Sequence, residues 1–155
     1  MQKIESFTVN HLKLRPGIYV SRKDKSNGVT ATTFDLRFKA PNIMPVMNSA
    51  GIHTIEHLGA TFLRNSSLKN KVIYFGPMGC KTGFYLVMFG CLTPNKVYDL
   101  IVKMLEFIID FSGDIPGATS VECGNYSDQN LEEAKEYAKE YLKYLKTEKN
   151  FEYKN

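Results

Sequence analysis

The chain has 155 residues, 43% of them apolar and 23% charged, with a formal net charge of +4. That length suits one hydrophobic core, and no run approaches the ~20 apolar residues of a membrane span, so a single domain over residues 1–155 with no membrane association is expected. Much of the Lys excess lies between Lys135 and Lys154, interleaved with Glu, which reads as a solvated helix face. Without clustered Arg or aromatics placed for stacking, it gives no reason to expect a nucleic-acid partner.

Glu5 stands where a secretion signal would begin its apolar stretch, so a cytoplasmic protein is expected. Three cysteines, Cys80, Cys91 and Cys123, are an odd number and argue against a disulfide framework. Reactive or metal-bound thiols become the question.

In chain order, Gly17 to Ser21 and Val29 to Phe38 read as strands, with an Asn27-Gly28 turn signal between them. Pro41 and Pro45 close this region, and Asn48-Ser49 offers a cap for a helix to about Asn65. Val72 to Phe75 and Phe84 to Phe89 form two more strands around the loop Gly76-Pro77-Met78-Gly79-Cys80. Thr93 and Pro94 then start a helix whose Val97, Leu100, Ile101, Met104, Leu105 and Ile108 make an apolar stripe. A short strand through Val121 is expected next, and a last helix from Ser127 turns Leu131, Ala134, Ala138, Tyr141, Leu142 and Leu145 inward. Without a βαβ rhythm, this order implies an α+β fold, a two-layer arrangement of a largely antiparallel sheet packed against helices.

The sharpest chemical signal is His53-Thr54-Ile55-Glu56-His57. At ~100° per residue the two histidines lie about 40° apart, with Glu56 about 60° to the other side. Ile55, Leu58 and Phe62 fall on the opposite face, so the helix can pack while the polar trio faces a cavity. Two imidazoles one turn apart suit a divalent metal, and the carboxylate beside them suits acid/base work. With three histidines in the chain, this pairing outweighs two incidental surface or core histidines. The H-x-x-E-H order matches the inverted zincin motif but does not by itself choose a reaction.

A third ligand must come from elsewhere: His11, Cys80, Cys91, Cys123 or an acidic residue. Cys123 precedes Gly124, where a strand end would let the sulfur project into a site. Cys80 lies between Gly79 and Gly83 with Lys81 beside it, a setting for a reactive thiolate. Cys91, at the end of an apolar strand, reads as a buried small hydrophobe.

Several blocks in this order resemble the S-ribosylhomocysteine lyase (LuxS) family. They are Glu5-Ser6-Phe7 with His11, Asp35-Leu36-Arg37-Phe38, Pro41-Asn42 and Ile52 to Leu58, then Gly76 to Leu86, Ile115 to Ala118 and Cys123 to Tyr126. The resemblance implies an inverted-zincin-like fold with His53, His57 and Cys123 as ligands of one divalent metal per subunit. Ferrous iron would be the native ion, with zinc or cobalt able to take its place. It further implies that Glu56 and Cys80 are general acid/base groups, that Ser6, His11 and Arg37 help hold the substrate, and that the active sites are shared in a homodimer. Asn10, Tyr74 and Gln129 depart from the family's usual residues.

The implied reaction moves the ribose carbonyl of S-ribosylhomocysteine from C1 to C3 and then releases homocysteine by β-elimination, leaving 4,5-dihydroxy-2,3-pentanedione. Each migration removes and returns a proton beside a carbonyl, which is work for two acid/base groups near a Lewis acid. A small inverted-zincin peptidase would ordinarily take a carboxylate as third ligand and has no need of the Cys80 loop. A non-catalytic metal-binding protein would close the coordination shell with a fourth residue.

Overall fold

The computed structural model describes residues 8–154. Strand β1 (Gly17–Ser26) and strand β2 (Val29–Arg37) form a hairpin whose turn residues, Asn27 and Gly28, both have positive φ, 47° and 79°. Those angles belong to the two-residue turn that matches strand twist, which explains the Asn-Gly choice. Helix α1 (Ser49–Asn65) follows, then a single 3-10 turn, strands β3 (Val72–Pro77) and β4 (Gly83–Phe89), and helices α2 (Pro94–Asp110) and α3 (Leu131–Thr147).

The strands form one antiparallel sheet in the order β1-β2-β4-β3. With three helices packed against it, the fold is α+β, as the element order implies. Strand alternation decides which residues meet the helices. Ile18, Phe34, Leu36, Phe84, Leu86 and Met88 join Ile55, Leu58, Ile101, Met104 and Tyr141 in one core. Each large side chain buried there contributes about 1.5–3 kcal/mol. The intervening residues point to the other face, where Asp35 pairs across to Tyr19 on one side and Tyr85 on the other.

Two expectations fail between α2 and α3. Residues around Val121 form turns rather than a strand, and Val121 itself is 94% exposed. Lying in a loop with no burial to gain, its β-branched side chain has nothing to pack against. Helix α3 starts at Leu131, not near Ser127, because Asn130 is the cap: its side chain accepts from the Glu133 amide at 3.0 Å. Asn48 does precede α1, yet its side chain donates to Glu133 at 2.9 Å instead of capping. The expected inward face of α3 is present, with Ala134, Ala138, Tyr141 and Leu145 buried and Leu131 and Leu142 partly so.

Candidate metal centre and thiol pocket

Helix α1 buries Ile55 and Leu58 in the core and packs Phe62 against it, leaving His53, Glu56 and His57 half-buried on the opposite side. The loops between α2 and α3 cover that side. Their backbone orients both rings: His53 Nδ1 lies 2.9 Å from the Asp128 carbonyl and His57 Nδ1 lies 2.8 Å from the Pro116 carbonyl. A carbonyl can only accept, so both Nδ1 atoms carry the proton and both Nε2 atoms present lone pairs.

Those Nε2 atoms face each other at 3.0 Å, and Cys123 Sγ lies 3.4 Å from that of His53. All three donor atoms fall within 4.8 Å of one another. A tetrahedral ion bonded to nitrogen at about 2.1 Å and sulfur at about 2.3 Å spaces neighbouring donors by roughly 3.3–3.6 Å, which the 3.4 Å sulfur–nitrogen separation matches and the 3.0 Å separation of the two nitrogens approaches. Lone pairs converging at this spacing fit a cation. Cys123 reaches the cluster from a turn, where its amide bonds to the Thr119 carbonyl at 2.9 Å, and not from a strand end.

Glu56 lines two cavities beside the cluster. One, of about 250 Å³, includes His53, Pro77, Met78, Gly79 and Lys81. The other, of about 360 Å³, includes His57, Thr61, Pro116 and Gly117. Cys80 lines neither.

Cys80, Arg37 and His11 line a third cavity of about 250 Å³, together with Asp35, Tyr85 and Tyr153. It shares Met78 and Gly79 with the first, so the two cavities meet across that loop. Arg37 and Asp35 are both 3% exposed although they stand on the sheet face away from the helices. Arg37 Nε and Nη2 fork onto the Asp35 carboxylate at 3.1 and 2.6 Å. Its Nη1 donates to Thr82 Oγ1 at 2.6 Å and lies 3.8 Å from Cys80 Sγ. Thr82 Oγ1 in turn sits 3.1 Å from that sulfur.

Desolvation opposes ionisation of the Cys80 thiol, but the Thr82 hydroxyl and amide, followed by the Arg37 guanidinium, outweigh it and hold the pKa below the usual thiol value. The sequence pointed to Lys81 for this charge. Lys81 instead turns away to donate to Ser49 Oγ at 2.9 Å.

His11 donates from Nδ1 to the Val9 carbonyl at 2.9 Å, leaving Nε2 available at the cavity. Asn10, one of the departing residues, braces this turn by accepting from the Leu12 amide at 3.1 Å. Gln129, another, accepts from Thr54 at 2.7 Å behind the metal cluster. Ser6 lies outside the described residues. Cys91 is exposed, with Lys23 Nζ 3.3 Å from its sulfur, which corrects its expected burial. It follows the end of β4 and so escapes the alternation that buries Met88.

Asp35, Thr82, Tyr153 and the Asp128 and Pro116 carbonyls take part in these sites without having been given a role from the sequence. Of these only Asp35 carries a legible signal, since it stands two strand positions from Arg37 and shares its face.

Known proteins give the same answer across nearly the whole chain. The S-ribosylhomocysteine lyase of Finegoldia magna is 61% identical over 142 residues, 92% of this chain and 90% of the relative. That of Clostridium acetobutylicum is 57% identical over 91% of this chain and 90% of its own. That of Borrelia garinii subsp. bavariensis is 53% identical over 99% of both. The family model described as S-Ribosylhomocysteinase (LuxS) matches residues 4–152. With the family model matching residues 4–152 and relatives at this identity covering nine-tenths or more of the chain, the chain belongs to the S-ribosylhomocysteinase (LuxS) family.

Proposed function

We propose that this chain is an S-ribosylhomocysteine lyase, a carbon–sulfur lyase working as one domain over residues 1–155. The observation that carries the reading is that the chain holds two half-sites on either side of the Met78–Gly79 loop: a convergent His53–His57–Cys123 donor set with Glu56 beside it, and a thiol held toward its ionised form at Cys80. A carboxylate third ligand, as a peptidase would use, is not part of the set, and three donors leave a position open for substrate.

His53, His57 and Cys123 would hold one divalent ion, ferrous in the native protein, which supplies Lewis acidity to the sugar oxygens. Cys80 and Glu56 then take and return the protons beside the carbonyl as it moves along the sugar, the thiolate from one side and the carboxylate from the other. Ser6, His11 and Arg37 help hold the substrate. The final proton removal lets the C–S bond break, with the electron pair leaving on homocysteine sulfur.

Because His11 and Cys80 share a cavity that contains no metal donor, we propose further that each active site in a cytoplasmic homodimer joins the metal half of one subunit to the thiol half of its partner. The test starts with purified protein and S-ribosylhomocysteine, reading released thiol. No release by the metal-loaded protein would sink the lyase reading. Glu56→Gln and Cys80→Ala should each retain metal and lose about 10²–10⁴-fold in turnover. Mixed and re-equilibrated, the two should recover roughly a quarter of parental activity, since half of the dimers then carry one intact site. If sites lie within single chains, nothing returns.

A further inference from the structure

The cavity that holds Cys80 is lined in part by a residue from the far end of the chain. After α3, the Asn150 carbonyl accepts from the Ile18 amide at 3.0 Å and the Asn150 side chain donates to the Pro16 carbonyl at 3.0 Å. Phe151 packs against the core, edge-on to Tyr98. These anchors lay the tail over the start of β1, and Tyr153 then stacks on Tyr19 with ring centroids 4.6 Å apart and planes within 10°. Its hydroxyl donates to Asp35 Oδ2 at 3.0 Å, and its ring lines the cavity with His11, Arg37 and Cys80.

That hydroxyl has a specific mechanical consequence. Among the described residues, the Asp35 carboxylate receives side-chain hydrogen bonds from Arg37 and Tyr153 alone. A guanidinium is planar, so once its Nε and Nη2 edge is seated on a carboxylate, the direction of Nη1 follows from the carboxylate plane. Thr82 Oγ1 holds the Nη1 end of the guanidinium, whereas the fork alone leaves the carboxylate end without a second anchor. Tyr153 supplies the outside reference. Nη1 is the atom that reaches Thr82 Oγ1 and Cys80 Sγ, so the aim of the positive charge at the thiol depends on the tail.

We propose that Tyr153 is a positioning residue for Cys80: its hydroxyl locks Asp35, Asp35 locks Arg37, and the aimed guanidinium with Thr82 holds the thiol ready for proton transfer. The proposal builds on the reading of Cys80 as an acid/base group but makes its own claim about the thiol. Among the described residues, the ionisable groups around the sulfur are Arg37 and Asp35 from β2, Tyr85 from β4, His11 from the N-terminal turn and Tyr153 from the tail, with Lys81 turned away to Ser49. Losing the phenol bond leaves Asp35 less neutralised and Arg37 less constrained. Both changes disfavour a negative sulfur.

The experiment measures the pH dependence of Cys80 alkylation by iodoacetamide in the full-length, metal-loaded protein, resolved by peptide mass so that Cys91 and Cys123 do not contribute. Tyr153→Phe keeps the stack on Tyr19 and removes only the hydroxyl. Its alkylation midpoint should move to higher pH, slowing the reaction about threefold at neutral pH, with metal content unchanged and kcat lowered more than KM is altered. Tyr153→Ala should shift the midpoint at least as far. A Tyr153→Phe midpoint equal to the parent's would overturn the proposal, whatever happens to turnover, and so would a shift confined to Tyr153→Ala, which would make the ring mere packing. Since alkylation needs no substrate, the result stands apart from whether the protein proves to be a lyase.

Discussion

In the metal cluster two of the three donors and the neighbouring carboxylate come from one turn and a half of α1, and the rest of the molecule only orients them. The Cys80 pocket draws on the N-terminal turn, three strands, the loop between β3 and β4 and the C-terminal tail. A helix delivers neighbouring side chains by its own period, so the metal half is nearly complete before tertiary structure forms. The thiol half exists only once β2 and β4 are paired and the tail has docked. A local motif is therefore robust in position yet depends on distant backbone for orientation, whereas a dispersed pocket depends on tertiary contacts for its very electrostatics.

Breaking the metal half outright gives the largest effect. His57→Ala should abolish stoichiometric metal binding, read by elemental analysis, and reduce turnover by several orders of magnitude. The Cys80 alkylation profile should stay as in the parent, because no metal donor lines its cavity. A profile that moved with metal loss would show that the two halves are not separable in this way.

A gentler change probes orientation alone. Gly117 has φ +74°, and a Cβ there would sit 3.3 Å from His57 Nδ1. Gly117→Ala should strain the turn that presents the Pro116 carbonyl, freeing the ring that this carbonyl holds. A loss of about 10–100-fold in metal affinity is expected by competition with a chromophoric chelator. Unchanged affinity would mean that the carbonyl is dispensable.

The smallest effect belongs to the thiol half. Thr82→Val keeps shape but removes the hydroxyl between Arg37 and Cys80. The folded protein holds the Cys80 pKa below its unfolded value, so this ionisation favours the fold fully above the ordinary thiol pKa, and the contribution is lost as pH falls through the lowered one. Thr82→Val should push the alkylation midpoint up and slow turnover a few-fold near neutrality, with recovery at higher pH. Denaturation midpoints of parent and Cys80→Ala should correspondingly diverge in the parent's favour as pH rises through that window. Parallel lines would refute the depressed pKa.

By itself the sequence determined the α+β class, the hairpin at Asn27-Gly28, the inner faces of all three helices and the placing of His53, Glu56 and His57 on one side of α1. Those features follow from periods of two and 3.6 residues and from turn chemistry, which act over a few neighbours. The resemblance to a known family carried Cys123 and Cys80 into the site, since no local period connects them to α1. Tertiary structure alone decided that the segment around Val121 makes turns, that Asn130 caps α3, and that the Asp128 and Pro116 carbonyls set the histidine tautomers. It also decided that Arg37 and not Lys81 polarises Cys80: a lysine one residue away can swing toward Ser49, while an arginine 43 positions distant is pinned beside the sulfur by strand pairing and a buried carboxylate.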